Sequence, residues 1–486
     1  MELNNLHNLV LTSCSFELNS AINSVGGALA ILEDVINTTI SDSIFISNRG
    51  RRGGAILTSG DILYMRNVEM TENVASESGG GIYLSSISNG IIRDSIFSQN
   101  EAIHDGGGLY LNDNTEYVKI VGSSMSKNIA RREGGGFYAS SSVFGFVIID
   151  TDSYSHSTIF ESGHTYWCVE STDICSSPYK VNYNESYSVP DGYSLMIAFN
   201  KSTIIPENQV FTVYQNSSKA VKLYESIGDH EWPGVTANVL WIDGNTMYYE
   251  FTNTDVPPNN LAVFGFIMYV YAVPRQIPLT PCNSEIRENK ASVGGGGRLA
   301  FAVNSFSMLG TCLEDNYAAN EGGGIFFDSY CAAATISSCS FIGQHSSEGP
   351  AISINSANYG VQILRSSFMY NHAKNGGGAM KLSYGNGYGT FPHSNRVLIE
   401  NCSFDSNFAY TVGGVLYVFS NNYLVTKSST FTNNSAVEIG GVISSYEKNT
   451  IEIDECIFSS NLVGIDGGVL HLNLQSKSII SNSRYL

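Results

Sequence analysis

The chain has 486 residues, 43% of them hydrophobic, with 48 Gly, 11 Pro, 28 Tyr, 24 Phe and a formal net charge of −19. So much glycine and aromatic material with so little proline excludes a disordered chain, and Ala, Lys and Glu are too sparse for a helical one, which leaves a β-rich fold. The acidic charge is spread along the whole sequence, so it reads as a solvated surface and makes nucleic acid an unsuitable partner.

The first residues, MELNNLHNLVLTSCSF, lack a basic start followed by an apolar stretch and are not a secretory signal. A repeat begins within them. Glycine pairs recur at 26, 53, 79, 106 and 134, and again near 295, 322, 376, 413, 440 and 467, with a worn copy at Gly349-Pro350. Before most pairs stands a bulky residue, two variable ones and an Asn, as in Phe45 with Asn48, Phe97 with Asn100, Phe368 with Asn371 and Phe431 with Asn434. One copy departs, with Phe341 followed by Gln344.

Short alternating segments at a step of mostly 26 to 28 residues predict a solenoid. Three strands and their turns fill one coil of a right-handed parallel β-helix, whereas a leucine-rich repeat would need a Leu ladder and a helix. About twelve coils stacked ~4.8 Å apart make a rod of ~55–60 Å. The alternation predicts an inward column of Leu29, Ile56, Ile82, Leu109, Phe137, Leu299, Ile325, Ile352, Met380, Leu416, Ile443 and Leu470. The Asn side chains are expected to ladder from coil to coil, with Asn itself in the left-handed backbone region, and the glycines to shape corners. A phosphate-binding loop is excluded because every coil repeats the glycines and no Lys-Ser or Lys-Thr follows them.

The pairing of FISN at 45 to 48 with GGAI at 53 to 56 resembles the repeat signature of polymorphic outer membrane proteins, over residues 1–150 and 282–486. The resemblance implies a β-helix on a surface-exposed, often adhesive passenger. The barrel of those bacterial proteins is missing here, so autotransport is not implied.

Between Asp150 and Cys282 the repeat stops. FGFVIID at 144 to 150 reads as the front of a coil and EIREN at 285 to 289 as its continuation, which predicts an inserted domain over 151–281 between β-helix parts 1–150 and 282–486. Its segments YSLMIAF, VFTVYQN, NVLWID, TMYYEF and FGFIMYVYAV alternate like an antiparallel sandwich. LAVFGFIMYVYAV at 261 to 273, the longest apolar run, is too short to span a bilayer and reads as a buried strand pair. The insert resembles a divergent CUB-like sandwich. That resemblance raises calcium as a cofactor, with Asp229 and Asp243 as candidate ligands, although the Tyr-Asp-x-Leu stretch that supplies one CUB ligand is here Gln209-Val210-Phe211-Thr212. No other metal or cofactor is expected.

Of nine cysteines, Cys14, Cys339, Cys402 and Cys456 share one repeat register with Ser43, Ser95, Ser123, Ser366 and Ser429. Thiols two coils apart are too distant to bridge, so this column predicts buried free thiols. Cys168 and Cys175 are the disulfide candidate for an extracellular chain. The glycosylation sequons start at Asn37, Asn184, Asn200, Asn216, Asn401 and Asn433.

A glycosidase site on a β-helix needs paired carboxylates. The sequence has no Asp-Asp pair and no Gly-His-Gly, and its nine His are scattered, so the expectation is a protein that is not an enzyme and has no catalytic residue. The outward column beside the glycines reads Tyr83, Tyr110, Tyr138 and, after the insert, Ala300 and Phe326. Tyr83, Tyr110, Tyr138 and Phe326 are the candidate binding residues for a glycan or protein, set against plain cross-coil packing. The leading expectation is therefore an extracellular or cell-surface adhesion protein. A carbohydrate-active enzyme and an intracellular scaffold are the alternatives. Neither end carries a polar cap, which points to a longer chain.

Overall fold

The computed structural model describes residues 1–3, 7–32, 35–150, 282–385 and 397–486, and within the insert residues 158–162, 183–199, 209–227, 239–242, 244–253 and 266–274 with Thr203, Ile205, Trp232, Pro233 and Val235. Every regular element among them is a strand. No helix among them is long and apolar enough to cross a membrane. The chain forms two compact units, Met1–Thr151 with Ile277–Leu486, and Asp152–Gln276.

The first unit is a parallel β-helix. One coil runs Ile82–Leu84, Asn89–Arg93, Ile96–Ser98 and Glu101–Ala102. Gly106, with φ +66°, then turns the chain into the next. Stacked coils give three sheets of thirteen strands and a fourth of twelve, all pairs parallel. That is one strand per coil and one coil more than the sequence predicts. The extra strand is two residues long, too short to show any alternation.

Side chains alternate in and out along each strand, and the inward ones fill a single core in which Ile82, Leu84, Ile92 and Phe97 of this coil are fully buried. Identical inward residues stack on themselves. The rings of Phe341, Phe368, Phe404, Phe431 and Phe458 lie 4.6–4.9 Å apart and within 8° of parallel.

The corner between third and fourth sheets is held by the Asn column. Asn73 Nδ2 donates to Asn100 Oδ1 at 3.0 Å and to the Phe45 carbonyl at 2.9 Å, while Asn100 Oδ1 also accepts from the Asn73 backbone N–H at 3.0 Å. Each amide is thereby saturated in a place water cannot reach. The left-handed residue is the one before the Asn, such as Gln99 with φ 56°, and not the Asn itself. The Asn is committed to hydrogen bonds that fix its own backbone, so the turn falls on its neighbour. Gln344 breaks the ladder on one side only, its Oε1 still accepting from Asn316 Nδ2 at 3.1 Å. Its longer side chain carries Nε2 back to the Ile342 carbonyl of its own coil at 2.8 Å.

A second ladder marks the corner between second and third sheets. The Cys339, Cys402 and Cys456 backbone N–H groups donate to the Oγ of Ser366, Ser429 and Ser483 at 3.1 Å. These three thiols are buried and free, and burial pushes the Cys339 and Cys402 thiols up to about 12. Cys14 is free and half-buried. Cys282 and Cys312 form a disulfide with Cα atoms 5.9 Å apart. Sequence reading missed it because Cys282 follows the interruption and belongs to no repeat column.

The interruption falls inside one coil. Val147–Ile149 ends its second-sheet strand and Glu285–Arg287 resumes in the third sheet, with Ile286 in register with Met125. Asp150 Oδ1 accepts from the backbone N–H of Asn283 at 2.6 Å and of Ser284 at 2.9 Å. The Asn ladder passes straight across the break, Asn128 Nδ2 to Asn289 Oδ1 at 3.0 Å.

The second unit contains two antiparallel four-stranded sheets. Thr158–Ser162, Phe266–Pro274, Tyr193–Phe199 and Leu240–Ile242 form one, and Tyr183–Ser188, Thr246–Asn253, Gln209–Tyr214 and Lys222–Ile227 the other. They share a core that includes Phe199, Phe211, Trp232, Met247 and Phe266. The apolar run predicted as a strand pair contributes one strand, Phe266–Pro274, paired on both sides.

Candidate functional site

The outer face of the first sheet departs from the uniformity of the core. Its column reads Leu57, Tyr83, Tyr110, Tyr138, Arg298, Phe326, Ser353, Lys381, Tyr417, Ser444 and His471 in register. Ala300 is not in it. Four glycines, Gly294 to Gly297, precede Arg298, and counting inward from the last of them shifts the strand by two. The register is set by the first, Gly294, with φ +65°. Gly297 then stands opposite Phe137, where a Cβ would lie 2.1 Å from the Phe137 ring, and Leu299 takes the next inward place, opposite Ala139. The first glycine of each run carries the signal, since Gly106 leads to Leu109, Gly134 to Phe137 and Gly322 to Ile325 by the same count.

Tyr83, Tyr110 and Tyr138 are stacked, with centroids 4.6 and 5.0 Å apart. The Arg52 guanidinium lies 5.8 Å over Tyr83, and that of Arg298 lies 5.9 Å over Tyr138 and 5.3 Å over Phe326. The ring faces are therefore covered by one another and by cations, and their edges are left for contact. Tyr83 and Phe326 are 6% exposed. Desolvation raises the phenols, that of Tyr83 to about 12 and those of Tyr110 and Tyr138 in the same direction. They remain protonated donors near neutral pH.

Beside this column runs a corner row in which Asp105 pairs with Glu133, and Glu321 with Glu348, on neighbouring coils. Arg298 is ion-paired to Glu133 and to Asp328, the latter at 2.6 Å. Lys381 is ion-paired to Glu321 at 2.8 Å and to Glu348. Further along the same sheet, Phe419 stacks on Tyr446 at 5.1 Å and meets Tyr384 edge-on at 4.9 Å. Tyr384 and Tyr446 are 53% and 40% exposed. This second aromatic group, the two cations and the carboxylate pairs were all missed in the sequence. Partners one coil apart lie more than twenty residues apart in the chain, beyond the reach of a linear motif.

Asp229, Asp243, Cys168, Cys175 and Asn200 lie outside the described residues. Asn184, Asn216, Asn401 and Asn433 are exposed and Asn37 is half-buried in a second-sheet strand. Among the described residues no group of three or more His, Cys, Asp or Glu could hold a metal ion. A cavity of about 350 Å³ beside Cys282 and Cys312 is lined by Glu285, Arg287 and Glu314, and Arg287 is paired to Glu285 at 3.5 Å.

No protein-family model and no curated protein matches the sequence. Two solved structures are similar to it. The tailspike protein gp49 from Pseudomonas phage LKA1 matches with 11% identity over 86% of this chain and 72% of its own, at a TM-score of 0.20. The gp54 tailspike of Acinetobacter baumannii bacteriophage AP22, in complex with A. baumannii capsular saccharide, matches with 11% identity over 84% and 68%, at a TM-score of 0.15. The expectation that the chain is not an enzyme is corrected here. It rested on the absence of paired carboxylates, yet Asp105 with Glu133, and Glu321 with Glu348, stand opposite one another on neighbouring coils. Matches at this identity establish no activity.

Proposed function

We propose that the chain is a surface-exposed glycan-binding protein whose ligand lies on the outer face of the first sheet. The observation that carries this reading is the register of Tyr83, Tyr110, Tyr138, Arg298, Phe326 and Lys381, which gathers phenol donors, paired charges and aromatic edges on one face of an otherwise repetitive solenoid. Sugars are bound by such mixtures, with hydroxyls taken by charged and phenolic groups and apolar ring faces laid on exposed aromatics such as Tyr384 and Tyr446. The saccharide bound by one of the tailspikes agrees with it.

The finer assignments belong to the same reading. They are an adhesin-like β-helix of the polymorphic outer membrane protein type, interrupted by a CUB-like sandwich over 151–281. An extracellular setting is supported by the Cys282 to Cys312 disulfide, since such bonds persist in oxidising compartments.

A glycan array probed with the wild type and with Tyr110→Ala tests the proposal. Loss of Tyr110 is expected to weaken binding about tenfold, the effect of ~1.4 kcal/mol. Unchanged binding, or an array without hits, overturns it.

A further inference from the structure

Asp105 and Glu133 share one face on neighbouring coils, yet their surroundings differ. Asp105 is 8% exposed. Its Oδ1 has no hydrogen-bond partner, and the Arg132 Nε lies 3.8 Å from it. Glu133 is held by Arg298, whose own Nε is buried without a hydrogen-bond partner. Two polar atoms of one cluster are thus left unsatisfied beside Tyr110 and Tyr138, and buried polar groups in a folded protein rarely stay so without a ligand or water to meet them.

We propose that Asp105 and Glu133 are the acid and the nucleophile of a glycosidic-bond-cleaving site, a step that rests on the glycan-binding reading of this face. Asp105 and Glu133 are bridged backbone to backbone on coils ~4.8 Å apart, a spacing that suits the ~5–5.5 Å between carboxyls of retaining glycosidases better than the ~6.5–9.5 Å of inverting ones. The acid needs a proton and the nucleophile a charge, and the two environments divide in that sense. Burial raises the Asp105 carboxyl above its ordinary value and Glu133 acts the same way, against the opposite pull of Arg132, Arg298 and His104. Glu133 instead faces the Arg298 guanidinium in an ion pair. Glu321 and Glu348 offer no such division, because both are paired to Lys381.

In the first step Asp105 gives its proton to the glycosidic oxygen as the bond from that oxygen to the anomeric carbon breaks, and a Glu133 carboxylate oxygen bonds to the anomeric carbon. In the second, water attacks that carbon, its proton passes to Asp105, and Glu133 leaves as carboxylate. The anomeric configuration is retained.

The test uses the full chain and the glycans that bind it on the array, assayed for new reducing ends. Wild type is expected to cleave at least one of them with retention, read by proton NMR of the first product. Asp105→Asn and Glu133→Gln are expected to lower the rate ~10²–10⁴-fold while binding stays within a few-fold, which separates lost chemistry from lost folding. Bound glycans that yield no reducing ends, inversion, or full activity in both variants overturn the proposal and leave the binding reading standing. An array without hits removes the binding reading and this step together.

Discussion

The Asn column between third and fourth sheets and the outer column of the first sheet both run along the stacked coils, in the same register and at the same spacing. The first repeats one residue almost without exception, from Asn19 to Asn461. The second changes at nearly every coil, through Leu57, Tyr83, Arg298, Phe326, Lys381 and His471. A buried amide must satisfy its own donors and acceptors within the stack, so one solution is copied from coil to coil. An outward side chain has water as an alternative partner and is free to differ. Variation along a solenoid face is therefore where ligand chemistry belongs, and repetition is where stability belongs.

Breaking the repeated column carries the largest expected cost. Asn289→Ala removes the acceptor of two Asn128 N–H groups and the donor to the Met125 carbonyl and to Asn316 Oδ1. At ~1–3 kcal/mol for each buried orphan, the loss should reach ~3–5 kcal/mol by denaturant unfolding. A loss under ~1 kcal/mol would return stability to the apolar core alone.

Arg298→Met comes next. It keeps an apolar filler between Tyr138 and Phe326 but strands Glu133 and Asp328, for which ~2–4 kcal/mol is expected. Unchanged stability by denaturant unfolding would show that packing, and not charge, is what Arg298 contributes.

Gln344→Asn should move in the opposite direction. It restores the side-chain donor toward Asn371 Oδ1, which Gln344 spends on the Ile342 carbonyl, and is expected to stabilise by ~1 kcal/mol. Destabilisation would mean that the coil needs the longer side chain.

The smallest shift is expected for Asp105→Asn. A carboxyl raised by burial binds its proton more tightly in the folded chain, so folding loses stability as the pH climbs from the ordinary value of 3.8 through the folded one. The variant, which lacks that titration, should melt above the wild type at neutral pH and converge with it below the window. Convergence at every pH would remove the burial argument for Asp105.

Much of this could be read in the sequence, because a repeat makes each residue its own control. The β-helix and the Asn ladder follow from the spacing of Phe97, Asn100 and Gly106 and their copies. Where the spacing itself is ambiguous the reading slips, as it did by two residues at Gly294 to Gly297. The two-residue fourth strand shows no alternation, and the left-handed turn falls on variable residues such as Gln99. Asp105 with Glu133, and Arg298 with Asp328, are neighbours only once the coils are stacked.

The claim that the outer face of the first sheet is the ligand surface is tested most directly by photo-crosslinking. A glycan that binds on the array, fitted with a photoreactive group, would be coupled to the full chain and its attachment mapped by peptide mass spectrometry. Label within residues 82–84, 109–111, 137–139, 297–299 and 325–327 is the predicted result. Label confined to the third sheet or to 151–281 would contradict it.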